Sequence, residues 1–248
     1  MEALLYSFFA GTSTVLGVVA LFIIKKPSNK LLATLLGFAG GIMMAISLFE
    51  LIPQAVALGS MISAVVGVIL GAAMMLLLDT IVPHSHMSGK EDIAVENPEK
   101  FTELDNSMKR MGYLILFGIA LHNIPEGLAI GAGLEASEKL GLSIAIAIAL
   151  HNIPEGLAIA GPLKAGGVSI GKIFLFVLTA GLMTPIGTAI GMAFLAISPV
   201  FISGSLAFAA GAMIYIVNDE LVPQANDMHN HLANAGLIAG ILVGLAIF

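Results

Sequence analysis

A chain of 248 residues that is 58% hydrophobic and only 10% charged, with a mean hydropathy of +1.02, has too little polar surface to solvate a globule, so its natural solvent is lipid. The formal charge of -6 gives no support to nucleic-acid binding. Cysteine is absent, which removes disulfides and thiolate metal ligands together.

A helix needs about 20 mostly apolar residues to cross a bilayer. Eight stretches meet that requirement: Ala3 to Ile24, Leu31 to Ala57, Ser60 to Val82, Met111 to Leu134, Leu140 to Leu163, Val168 to Ile197, Val200 to Val222 and Leu232 to Phe248. They are apolar on all faces, whereas barrel strands would alternate apolar and polar over about ten residues. The expected fold is therefore an all-α integral membrane protein of eight transmembrane helices. The first span follows Glu2 with no basic leader, and reads as retained. With the N-terminus outside, Lys25, Lys26, Lys30, Lys90, Lys100, Lys109, Arg110, Lys164 and Lys172 all fall on the cytoplasmic side, and only Lys139 falls outside. Both termini are thus expected outside a cell (inner or plasma) membrane, with the loop from Pro83 to Arg110 in the cytoplasm.

Two repeats organise the spans. FAGGIMMAISLFELIPQA, from Phe38 to Ala55, matches FAAGAMIYIVNDELVPQA, from Phe208 to Ala225. The copies lie on spans two and seven, which cross the membrane in opposite senses, so the repeat is inverted. ALHNIPEGLAI occurs at Ala120 to Ile130 and again, letter for letter, at Ala149 to Ile159, on adjacent antiparallel spans four and five. The implied arrangement is 3+2+3, related by a pseudo-two-fold axis in the membrane plane, where transporters often place their substrate.

Within the doubled motif, His122 and Glu126 are four residues apart and share a helix face, with Asn123 beside them; His151, Asn152 and Glu155 repeat the pattern. An ionised carboxylate near midplane costs at least ~2 kcal/mol and persists only when paired or coordinated. No Lys or Arg lies in these two spans, and a divalent cation would neutralise the two glutamates. Imidazole, carboxylate and amide oxygen without thiolate suit zinc first, with iron, manganese and cobalt open. Pro125 and Pro154 withhold donors from the carbonyls of Leu121 and Leu150, and the expected kinks would open room at the site.

The doubled HNIPEG, the stretch KPSNKLLATLLGFAGGIMMAISLFELIP from Lys26 to Pro53, and LDTIVPHSH from Leu78 to His86 together resemble the ZIP family of metal-ion transporters, closest to its bacterial ZupT-type branch. The resemblance covers nearly the whole chain. It implies uptake of zinc and related divalent cations (Cd2+, Fe2+, Mn2+, Co2+) into the cytoplasm by an elevator-like movement, with homodimers frequent. By position it implies that His122, Glu126, His151 and Glu155 hold a first ion, and that Asn123 and Asn152 with the shared glutamates line a second. The family often adds a methionine on span two, matched by Met43, and an acid on span six near Pro185. This chain carries Thr184 there, one carboxylate fewer.

At the ends of the spans, Glu50 lies toward the outer mouth and its repeat partner Glu220 toward the inner one, where Asp79 and Asp219 add charge. Either these acids pass ions along or they face headgroups. His84 and His86 in PHSH, and His229 and His231 in MHNH, are expected in cytoplasmic loops, where they either bind metal or are simply solvated. Two other functions share these features: an intramembrane metal-dependent hydrolase, which would need an open coordination position and a base, and a metal-selective channel. The inverted repeat favours a transporter, because equal halves supply two equivalent access states.

Overall fold

A computed structural model of the protein describes residues 2–24, 28–81, 85–86, 94–95, 107–195 and 199–247. Helices α1 (Glu2–Thr12) and α2 (Thr14–Ile24) make one broken rod. Then come α3 (Asn29–Ile46), a π-helical turn (Ser47–Leu51), α4 (Ile52–Leu58) and α5 (Met61–Ile81). A two-residue antiparallel pairing of β1 (Ser85–His86) with β2 (Ala94–Val95) follows. The long helices α6 (Ser107–Ala136) and α7 (Glu138–Ala165) lead into a second broken rod, α8 (Ile170–Gly181) and α9 (Met183–Leu195). The chain closes with α10 (Pro199–Ile216), a second π-helical turn (Val217–Leu221) and α11 (Val222–Ile247).

Local chemistry sets several of these boundaries. Ser28 and Ser137 accept from the backbone N–H three residues on, at Leu31 and Leu140, and so cap α3 and α7. The first rod breaks at Ser13, whose hydroxyl lies 2.6 Å from the carbonyl of Ala10 and 2.9 Å from that of Ala149 on α7. The second breaks at Leu182, just ahead of Pro185, which has no N–H to offer the preceding turn.

Seven helical stretches among the described residues are long and apolar enough to cross a membrane. The chain is thus an all-α multi-pass membrane protein. The last stretch, Pro199–Ile247, has 49 residues; at about 1.5 Å per residue it is more than twice as long as a ~30 Å hydrocarbon core. It breaks at His229, where φ is -169° and ψ is 94°. Between Val222 and Leu232 the sequence predicts a connection. The structure narrows that connection to a kink at His229, with helix on both sides, so His231 lies on the helix that follows the kink. Pro125 and Pro154 sit inside helices that continue past them, and the rods flanking those helices are broken.

The helices pack chiefly in two groups. One contains α1, α2 and α6 to α9; the other contains α3 to α5, α10 and α11. They meet where α3 lies on α7 and α10 lies on α6. Inside the first group, backbones touch. A side chain at Gly127 would strike the carbonyl of Thr184, and one at Gly156 would strike the carbonyl of Thr14. Gly11 and Gly181 likewise lie against each other's carbonyls, which brings α1 and the C-terminal end of α8 into direct contact. Only glycine permits such approach, as at other membrane helix crossings.

Candidate metal centre

Two helices, α6 and α7, carry the repeated motif, and all six of its polar side chains are buried. His122 is 1% exposed; Asn123, Glu126, His151, Asn152 and Glu155 are 0% exposed. The pairing runs across the helices. His151 Nε2 lies 2.7 Å from Glu126 Oε1, and His122 Nε2 lies 3.3 Å from Glu155 Oε2. Within α6 the i,i+4 pair is looser, with His122 Nε2 3.9 Å from Glu126 Oε1. Each histidine therefore answers the glutamate of the other copy more closely than its own.

The asparagines turn the other way. The Asn123 amide donates to the carbonyl of Ala180 at 2.9 Å, and that of Asn152 donates to the carbonyl of Ala10 at 3.0 Å. Both acceptors lie within a turn of the breaks in the flanking rods. With the N–H2 ends committed outward, the Oδ1 atoms of both asparagines have no hydrogen-bond partner among the described residues. Glu126 Oε2, Glu155 Oε1 and both imidazole Nδ1 atoms are in the same condition. Buried polar atoms are nearly always paired, so such a concentration asks for an occupant.

Donor atoms of His122, Glu126 and Glu155 all lie within 4.8 Å of one another, the spacing of ligands around one ion. His151 joins this group through Glu126. Imidazole and carboxylate together form a borderline-to-hard donor set, which fits a divalent transition metal.

The auxiliary residues divide. Met43 is fully buried in the apolar core. Its repeat mate Met213 is buried as well and receives the Ser47 hydroxyl at 3.7 Å from its sulfur. Glu50 lies in the first π-helical turn, half-buried, and accepts from the Gln54 amide at 3.3 Å. Asp219 and Glu220 lie in the second turn, also half-buried. The Glu220 carboxylate sits against Gly118 of α6, one turn before His122. His229 accepts from the backbone N–H of Leu232 through Nδ1 at 3.4 Å, as a cap for the rest of α11. His84 and the side chains of Asp79 and His86 lie outside the described residues.

The sequence reading missed one element of the centre. Ala10, Gly11, Thr14 and Gly17 recur as Ala180, Gly181, Thr184 and Gly187, at the same offset that relates Phe38 to Phe208. These residues supply the two carbonyls that hold the asparagines and the two that touch Gly127 and Gly156. Thr184 belongs to this set. It is buried against Gly11, and its mate Thr14 donates to the carbonyl of Gly11 at 2.6 Å. The residue is thus a threonine in both halves, part of the seam between rods.

A multi-pass helical protein with a buried His/Glu cluster of metal-ligand spacing falls in the broad class of membrane metal-ion transporters. Comparison with known proteins narrows this. The family model described as ZIP Zinc transporter matches residues 79–248. The chain is 37% identical to the zinc transporter ZupT of Chlorobium phaeovibrioides over 261 residues, covering 97% of this chain and 94% of that one. It is 38% identical to ZupT of Akkermansia muciniphila over 251 residues, covering 94% and 92%. Against ZupT of Escherichia coli O7:K1 it is 38% identical over 246 residues, covering 97% and 93%. The chain belongs to the ZIP family, on its ZupT-type side. These relatives are transporters, not enzymes, which disposes of the hydrolase alternative.

Proposed function

We propose that the protein carries divalent transition-metal ions, zinc first, into the cytoplasm by alternating access, through a midplane site made of His122, Asn123, Glu126, His151, Asn152 and Glu155. The observation that supports this reading is the buried cluster in which donor atoms of His122, Glu126 and Glu155 lie within 4.8 Å of one another, with His151 joined to Glu126. An arriving ion takes the place of the protons held between imidazole Nε2 and carboxylate, since metal ligands must be unprotonated. His122, Glu126, His151 and Glu155 hold it first. The asparagine oxygens, with the shared glutamates, offer a second position, weakened because span six brings Thr184 and no acid.

The reading includes eight spans in a 3+2+3 arrangement. Its support is the length of Pro199–Ile247, enough for two crossings, and the break at His229. The correspondence of the two rods, the two π-helical turns and the two asparagine contacts supports the inverted repeat. Glu50 serves the outer mouth and Glu220, with Asp219 and Asp79, the inner one, with both termini outside. An elevator-like movement would carry the group with α6 and α7 against the group with α3 and α10. Cadmium, iron, manganese and cobalt are further cargoes for the same donor set, and a homodimer is the family expectation for assembly.

Zinc flux into proteoliposomes containing the purified protein tests the whole reading. Uptake should saturate with external zinc and vanish in the double variant Glu126→Ala, Glu155→Ala. Equal uptake by the wild type and the double variant would remove the site, and uptake that never saturates would point to a channel.

A further inference from the structure

An apolar groove of about 410 Å3 runs between α6 and the α5/α10 pair, walled by Val66, Leu70, Leu128, Val200, Phe201 and Phe208. That volume is in the range of ligand sites, ~300–1,000 Å3. Two hydroxyls, Ser63 and Ser205, also line it; Ser63 is engaged, 2.8 Å from the Ser60 carbonyl and 3.2 Å from the Ser203 hydroxyl. Val66, Leu70, Val200 and Phe201 are 45% to 62% exposed. In a membrane protein such side chains face hydrocarbon, and the groove is continuous with that lipid-facing surface.

The opposite half of the molecule shows that the groove is particular to this side. By the repeat, Gly204 and Ser205 on α10 correspond to Thr34 and Leu35 on α3, and Leu128 on α6 corresponds to Leu157 on α7. Leu35 packs into the apolar cluster that holds Val18, Leu157 and Ile159, and Leu157 is 1% exposed. Leu128 is only half-buried. One seam is filled by the chain's own leucines; the other has a glycine and a serine where that bulk would be. An empty apolar slot forfeits dispersion contacts on every wall, and the surrounding fluid is hydrocarbon of matching chemistry.

We propose that this groove is a binding site for a lipid acyl chain, which fills the seam between α6 and the α5/α10 pair. Leu128 is two residues beyond Glu126, on another face of the helix, so the chain bears on the back of α6 rather than on the metal. The assignment does not depend on which ion is carried.

The protein contains no tryptophan, so a single introduced indole reports without background. Phe208→Trp and, as a fully lipid-facing reference, Phe22→Trp are each reconstituted in vesicles of phosphatidylcholine with brominated acyl chains. Phe208→Trp should be quenched at least half as strongly as Phe22→Trp. Adding Gly204→Leu should cut that quenching at least twofold, because a side chain at Gly204 meets open space. Quenching below half of the reference, or quenching unchanged by Gly204→Leu, overturns the site. The Phe208→Trp measurement decides alone if the filled variant does not fold.

Discussion

The two HNIPEG copies and the two glutamates of the π-helical turns are both symmetric pairs in sequence, yet the structure gives the two pairs different degrees of burial. His122, Glu126, His151 and Glu155 are equally buried and pair across the helices in the same sense. Glu50 and Glu220, by contrast, are both half-buried; Glu50 accepts from Gln54 on its own helix, and the Glu220 carboxylate lies against Gly118 of α6. The difference teaches that repeated acids on membrane helices can meet two fates: fully buried carboxylates must find partners among the helices, whereas half-buried ones can also be met by solvent or headgroups.

The largest effect that would break this comparison is loss of the shared centre. Removing both glutamates should lower zinc flux at least ~100-fold, since ligand and supporting-shell losses each cost about 10–100-fold. Glu126→Gln and Glu155→Gln made singly should fall by amounts within roughly threefold of each other in the same assay; a tenfold gap would mean that the copies are not equivalent. Next comes the backbone seam. Gly127→Val and Gly156→Val should each destabilise the protein by ~1–3 kcal/mol or more, the cost of overpacking, seen as a lower melting temperature in detergent, and an unchanged melt would show that the helices do not touch there. At the mouths, Glu50→Gln should raise the apparent KM for external zinc roughly threefold to tenfold, as expected when ~1 kcal/mol of attraction is lost, while Glu220→Gln leaves that KM in place. Equal effects from the two would abolish the distinction between the mouths. The smallest expected change is at the asparagine contacts: Asn123→Ala and Asn152→Ala should each cost ~1 kcal/mol of stability, measured by denaturation, and a cost confined to one of them would mark the rods as unequal.

Much of the centre was legible because its signal is local. An i,i+4 His/Glu pair must share a helix face, and identical letters on adjacent antiparallel spans must meet if those spans pack. The cross-pairing of His151 with Glu126 was not legible, since it depends on how far each helix is rotated about its own axis. Ala10, Gly11, Thr14 and Gly17 escaped for a different reason: small residues spaced three and four apart are common in any membrane helix, and their meaning lay only in recurrence at Ala180 to Gly187. Hydropathy located the apolar segments well. It placed a break between Val222 and Leu232 but could not show that the break is a kink at His229 with helix on both sides, because Asn226, Asp227 and His229 read as a longer loop when tertiary packing is unknown. Nor does any residue type announce a π-helical turn.

Those turns have a consequence for ancestry. A π-helical turn is an α-helix carrying one residue more than its hydrogen bonding needs, and each half has it at the matching register, Ser47–Leu51 and Val217–Leu221. One insertion before duplication accounts for both, whereas separate insertions would have had to land on the same rung twice. The count is then an inheritance that neither half can revise alone: deleting one residue from one turn would rotate everything beyond it by about 100°, and the two halves would no longer superpose.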